Sequence, residues 1–181
     1  MMTSGYKKRK NTEEQIKRIL IYSALLFLLS VAEGSFFSSL RLIPATPDLI
    51  LGVITVVTLT DTRETALISA IVGGVMTDAI CGTGIYLSPI FYFLVVLVLC
   101  PLAKKMMKSY LSWLALFPIA LLMRAIYTTA RAYLFGGSLE FSEILLYAVL
   151  PEIICTLIFS LVLYPVVTAL SRIAGGRRDI S

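Results

Sequence analysis

The chain contains no histidine. Without an imidazole there is no Ser-His-Asp or Cys-His arrangement for nucleophilic catalysis, and no H-E-x-x-H metal site. A G-x-x-x-x-G-K-[ST] loop is also missing, so the sequence carries no phosphate cradle for a nucleotide-driven engine. Cysteine is sparse. Cys81, Cys100 and Cys155 are too widely spaced to read as a metal-ligand group or a disulfide framework. Cys100 and Cys155 fall inside apolar runs, where a thiol serves as a small hydrophobe, and only Cys81 lies near a loop. No basic stripe with interleaved aromatics points to nucleic acid. A carboxylate pair such as Asp48 and Asp78 is chemically capable of acid–base work, but nothing places a substrate between them. The expectation is a protein that is not an enzyme and holds no cofactor or metal.

What the sequence has in excess is apolar surface. Its 181 residues suit one domain, and 58% of them are hydrophobic, against about 45–50% in a typical soluble domain. Mean hydropathy is +0.89. The apolar residues lie in long runs separated by short polar punctuation, the pattern of transmembrane helices. The net charge of +5 comes from basic residues at the ends of those runs. There they report orientation and contact with anionic lipid head groups in a bilayer.

Six runs follow one another. Residues 1–18 form a basic lead with Lys7, Lys8, Arg9, Lys10, Lys17 and Arg18. The first run, residues 19–37, is long enough to span. Ser30-Val31-Ala32 also has the small-residue spacing of a signal-peptidase site. The long charged lead and the further apolar runs favour a retained span. Residues 48–60 and 65–80 are two short runs around the polar turn Asp61-Thr62-Arg63-Glu64. They read as two closely packed spans or as a re-entrant pair buried in protein. Residues 86–101, 111–135 and 144–170 are the remaining runs, and residues 171–181 form a basic tail.

With the N-terminus inside, the cytoplasmic segments hold the N-terminal cluster, Arg63, Lys104, Lys105, Lys108 and the tail arginines, while the outer loops hold Arg41 and Arg131. Five or seven spans would place a basic cluster on the wrong side. The expected fold is therefore an all-α integral membrane protein. It is a six-helix transmembrane bundle over residues 19–170 with both termini cytoplasmic.

Ionisable groups inside such spans cost roughly 2.5–3.5 kcal/mol each on insertion scales, so they tend to face the bundle interior and to have partners. The candidates are Glu33, Asp48, Asp78, Arg124, Arg131 and Glu152. Arg124 lies ~20 Å from the inner face and Glu152 ~12 Å from the outer face, by helix rise alone. The two levels nearly coincide and the fifth and sixth helices should be neighbours, so an Arg124–Glu152 pair is expected. Pro151 can loosen the backbone beside it. Arg131 follows Arg124 by seven residues, on nearly the same face. Glu33, Asp48, Asp78 and Arg131 should lie in the outer half of the bundle, as a binding surface or polar cavity, or as mutually neutralising packing groups. Asp48, after Pro47, also suits a helix cap. In the third run Ala66, Ala70 and Gly74 are spaced by four, as are Ser69, Gly73 and Thr77, a spacing that lets helix backbones approach closely. That face suits internal packing against the second or fourth helix, or a partner helix.

The stretch from Pro44 to Pro101 resembles a known family. Pro47-Asp48-Leu49-Ile50-Leu51 is similar to the opening of the second helix in the rod shape-determining protein MreD family. So are the Arg63-Glu64 turn, the segment Gly73-Gly74-Val75-Met76-Thr77-Asp78-Ala79-Ile80, and the loop with Gly82 and Gly84. After Gly84, Ile85-Tyr86 stands where Leu-Ser is more typical. The resemblance implies a multi-pass protein of the bacterial cytoplasmic membrane, similar in fold to the substrate-binding subunits of energy-coupling-factor transporters. It implies a non-enzymatic scaffold of the elongation machinery that supports lateral peptidoglycan synthesis and cell shape. The implied partners are an MreC-like single-span protein, RodA, a penicillin-binding transpeptidase and MreB. Asp48 and Asp78 match the family's acidic positions. The rival expectation is a transporter subunit whose outer-half polar cluster lines a small-molecule pocket. The single tryptophan, Trp113, falls near the inner face and does not suit such a pocket.

Overall fold

The computed structural model describes residues 3–37, 47–81, 87–106, 109–135 and 149–173. These are helical almost throughout. Helix α1 spans Thr3–Val31 and runs on into a π-helical segment, Ala32–Phe37. Helix α2 spans Leu49–Thr60, α3 Arg63–Cys81, α4 Ser88–Lys105, α5 Tyr110–Phe135 and α6 Leu150–Ile173. Helix α1 begins within the basic lead. No proline interrupts that lead, and the spacings Glu13–Lys17 and Glu14–Arg18 suit i,i+4 pairing. The loops holding Arg41, Gly82 and Gly84 lie outside the described residues, as do Lys108 and the tail arginines Arg177 and Arg178.

Among the described residues four segments are long and apolar enough to cross a membrane: Glu13–Ser35, Ser88–Lys105, Tyr110–Leu134 and Leu150–Ile173. Their outward faces carry large hydrophobics such as Leu20, Leu28, Ile90, Leu122, Ile126 and Val162. Rows of this kind face lipid and would be an aggregation liability in water. The chain is thus a membrane protein built as a helical bundle.

Helix α2 is different. Its 12 residues rise only ~18 Å, short of the ~30 Å hydrocarbon core. It has no polar face, and every residue from Leu49 to Leu59 is buried. A helix that is apolar all round belongs in the middle of a bundle. Helix α2 packs against α1, α3, α4, α5 and α6, so protein rather than lipid surrounds it. The core around it includes Tyr22, Leu26, Tyr92, Val95, Trp113 and Phe117. Its Gly52 faces Ser160 of α6, where a Cβ would press on the serine hydroxyl.

The small residues of α3 serve the same interior. Ala66 and Ala70 are fully buried. Gly73 lies against Ile50 of α2 and Leu26 of α1. Gly74 meets the backbone of Pro89 and Ser88 so closely that a Cβ there would overlap it. The small-residue face is covered by this chain's own α1, α2 and α4. It is therefore not open to a helix from another protein, because the space that Gly73 and Gly74 vacate is already filled.

Connected helices alternate in direction and give the bundle two unlike ends. Glu33, Asp48, Asp78 and Glu152 lie at one, the acidic end. Arg18, Lys104, Lys105 and Arg172 lie at the other, the basic end. Helix α6 takes α2, rather than α5, as its close backbone neighbour. Helices α5 and α6 reach one another through long side chains, because α2 occupies the space beside α6.

Candidate functional site

The N-terminus of α2 is the centre of a buried polar network. The first N–H groups of any α-helix have no partner within it and need acceptors from outside. Asp48 supplies one as the cap residue, its Oδ1 accepting from Leu51 N at 2.8 Å. Glu33, carried by the π-helical segment after α1, supplies the other. Its carboxylate accepts from Leu49 N and, at 3.3 Å, from Ile50 N. Two carboxylates at a helix N-terminus also match the positive end of its dipole.

The network extends to three more helices. The hydroxyl of Tyr92 on α4 donates to Asp48 Oδ1 at 2.9 Å. The backbone N–H of Asp48 donates to Thr156 Oγ1 on α6 at 2.9 Å. Arg124 of α5 bridges two acids. Its Nε donates to Glu152 Oε1 on α6 at 2.7 Å, and its Nη1 lies 3.1 Å from Asp48 Oδ2. The contact to Asp48 is an ion pair offset from hydrogen-bond alignment. Thr128, one turn along α5, donates to Glu152 Oε2 at 2.9 Å. The guanidinium carbon lies 5.6 Å from the Phe91 ring centroid and 5.4 Å from that of Tyr127, and those two rings stack on each other at 4.5 Å. A guanidinium over such faces gains cation–π attraction. The pair expected from sequence, Arg124–Glu152, is present, and it is joined to Asp48 and Glu33 as one assembly.

Asp78 stands apart from this network. Its Oδ2 accepts from Ser88 N at 3.0 Å and its Oδ1 from Ser88 Oγ at 2.6 Å. It thereby satisfies the N-terminus of α4, one turn beyond the Gly74–Pro89 contact on the same face of α3. Arg131 is also apart. It is exposed, and its seven-residue offset from Arg124 carries it ~10 Å further along α5. The outer cluster expected from sequence thus resolves into one assembly of Glu33, Asp48, Arg124 and Glu152, a separate helix dock at Asp78, and an exposed Arg131.

A second buried charge pair sits at the far end of α2. Arg18 Nη1 lies 3.2 Å from Asp61 Oδ1, and the Tyr22 hydroxyl donates to Asp61 Oδ2 at 3.2 Å. Asp61 Oδ1 also accepts from Thr62 N at 2.7 Å, next to the start of α3. Sequence reasoning took Asp61 for a solvated turn residue and Arg18 for an orientation charge. The one available signal was the i,i+4 spacing of Arg18 and Tyr22, which puts both on one face of α1. Tyr92 was missed as well. Its position one turn after Ser88 gives α4 a polar face, but a tyrosine in an apolar run does not announce a buried partner.

Chemically, the assembly is suited to joining helices. Its carboxylates accept from backbone and side-chain donors of this chain, and its guanidinium is shared between two acids. Among the described residues no group of three Cys, Asp or Glu side chains is placed to hold a metal ion. No protein-family model, curated protein or solved structure matches the chain.

Proposed function

We propose that this chain is a non-enzymatic membrane scaffold of the bacterial elongation complex. In that reading it crosses the cytoplasmic membrane six times with both termini in the cytoplasm. It binds the transmembrane helix of an MreC-like partner, and through it supports lateral peptidoglycan synthesis and cell shape. The family resemblance over residues 44–101 supplies the partner class. The observation that supports the scaffold reading is how the buried polar groups are used. Glu33 and Asp48 bond the backbone at the start of α2, and Arg124 joins Asp48 to Glu152, and so these groups fix the bundle. The transporter reading asks the same groups to line a substrate pocket, and here they face each other instead. The gathering of Arg18, Lys104, Lys105 and Arg172 at one end supports placing that end in the cytoplasm. The partner's helix would then meet the apolar outer faces of α1, α4, α5 or α6, since the small-residue face of α3 is filled.

The test is co-purification in mild detergent with the MreC-like protein of the same cell, with an unrelated single-span protein as control. A selective, stable complex is expected. Intact, folded protein that retains neither partner would contradict the scaffold reading.

A further inference from the structure

The basic end of the bundle contains a cavity of about 460 Å³, within the roughly 300–1,000 Å³ typical of small-molecule sites. It lies where the C-terminal end of α2, the N-terminal end of α5 and the last turns of α6 converge. The polar side chains lining it are hydroxyl-bearing apart from one arginine. Thr60, Ser109, Tyr110, Tyr164, Thr168 and Ser171 supply the hydroxyls, and Arg172 the positive charge. Among the described residues no carboxylate lines it. The nearest acid in sequence, Asp61, is held by Arg18 and Tyr22. Hydroxyl donors with one guanidinium and no acid form an environment for an oxyanion. The N-terminus of α5, beginning at Tyr110, adds its positive dipole end.

Thr168 gives a second, independent indication. A threonine inside a helix commonly returns its hydroxyl to a carbonyl of the preceding turn. Thr58, Thr60 and Thr77 do so, at 2.7, 2.9 and 2.9 Å. Thr168 does not. Its Oγ1 is buried and has no hydrogen-bond partner among the described residues, although it lines this cavity. A buried hydroxyl without a partner is costly unless something outside the chain satisfies it. The cavity wall includes Tyr110 and Tyr164, which contact each other at 5.0 Å between centroids and pack on Trp113 at 5.8 and 5.0 Å. Tyrosine and tryptophan favour the head-group level of a bilayer.

We infer that this cavity binds a phosphate group, either the head group of an anionic phospholipid or a free phosphate or phosphate ester. Arg172 supplies the charge, and Thr168 and the neighbouring hydroxyls supply the donors. The site is separate from the network at the acidic end and does not rest on the scaffold reading.

Trp113 is the only tryptophan in the chain and packs on two residues of the cavity wall, so its fluorescence reports occupancy. Detergent-solubilised full-length protein is titrated with short-chain phosphatidylglycerol, short-chain phosphatidylcholine and inorganic phosphate in turn. A saturable change with phosphatidylglycerol, much weaker with phosphatidylcholine, is expected if the source is a lipid. Saturation by inorganic phosphate assigns the site to free phosphate or its esters. In either case Arg172→Gln weakens binding by about ten- to a hundredfold, the scale of losing a charged hydrogen bond. Thr168→Val removes a hydroxyl that no group of the chain uses. It should leave the thermal midpoint in ligand-free detergent unchanged and still weaken binding severalfold. No saturable response to any of the three probes, or unchanged affinity in both variants, would overturn the inference.

Discussion

At the N-terminal end of α2 two carboxylates share one guanidinium and a third caps the helix backbone, whereas at its C-terminal end one carboxylate meets one guanidinium and a phenol. The difference follows from what each end of a helix requires. The N-terminus offers unpaired N–H donors and a positive dipole end, so acids are the natural partners, and Glu33 and Asp48 serve in that way. The C-terminus offers carbonyls and a negative dipole end, so an acid there must be held by something else. Asp61 is held by Arg18 and Tyr22, and its carboxylate also faces Thr62 N beside the start of α3. At the N-terminal end of α2 two acids, Asp48 and Glu152, share Arg124. At the C-terminal end of α2 one acid meets one arginine. A short helix that cannot anchor itself across a bilayer is thus pinned at both ends, with a heavier dependence on Arg124 than on Arg18.

The contrast predicts an order of sensitivities. Arg124→Ala should have the largest effect, because it leaves Asp48 and Glu152 buried without their shared cation. Breaking such a buried assembly costs about 3–5 kcal/mol, read as a shift in the denaturant midpoint of the purified protein. A loss below about 1 kcal/mol would remove the claim that the acidic end is the more dependent one. Asp61→Asn should cost less, about 1–3 kcal/mol, since the amide's one oxygen still accepts from Thr62 N, although its NH2 group cannot accept from Tyr22. A loss equal to that of Arg124→Ala would make the two ends equivalent. Arg131→Gln should change stability by less than about 0.5 kcal/mol, as expected for an exposed residue outside either network. A larger loss in the same unfolding experiment would bring Arg131 into the acidic-end assembly.

Some of this was legible in the sequence. Helix rise alone put Arg124 and Glu152 at one depth, and the four-residue spacing of small residues on α3 signalled a close approach. Packing of that face on the second or fourth helix was legible too, and Gly73 against Ile50 and Gly74 against Pro89 match it, although the residues met depend on how α4 docks. The identity of α6's neighbour was hidden for a related reason. Chain order suggested α5, but α2 lies between them as the buried centre of the bundle. Asp61 was illegible because an acid in a polar turn looks solvated. Its burial, at 1% exposure, arises only when α1 lays Arg18 and Tyr22 across the turn. The exposure of Arg131 was hidden because helical periodicity reports the face a residue occupies but not whether the bundle still covers that height.

The central claim is that Asp48 and Arg124 act as one unit in holding α2. A double-mutant cycle with Asp48→Asn, Arg124→Gln and both together, followed by denaturant unfolding, tests it most directly. The account predicts a coupling energy of about 1–3 kcal/mol, with the double variant losing less than the sum of the singles. Losses that add to within about 0.5 kcal/mol would contradict it.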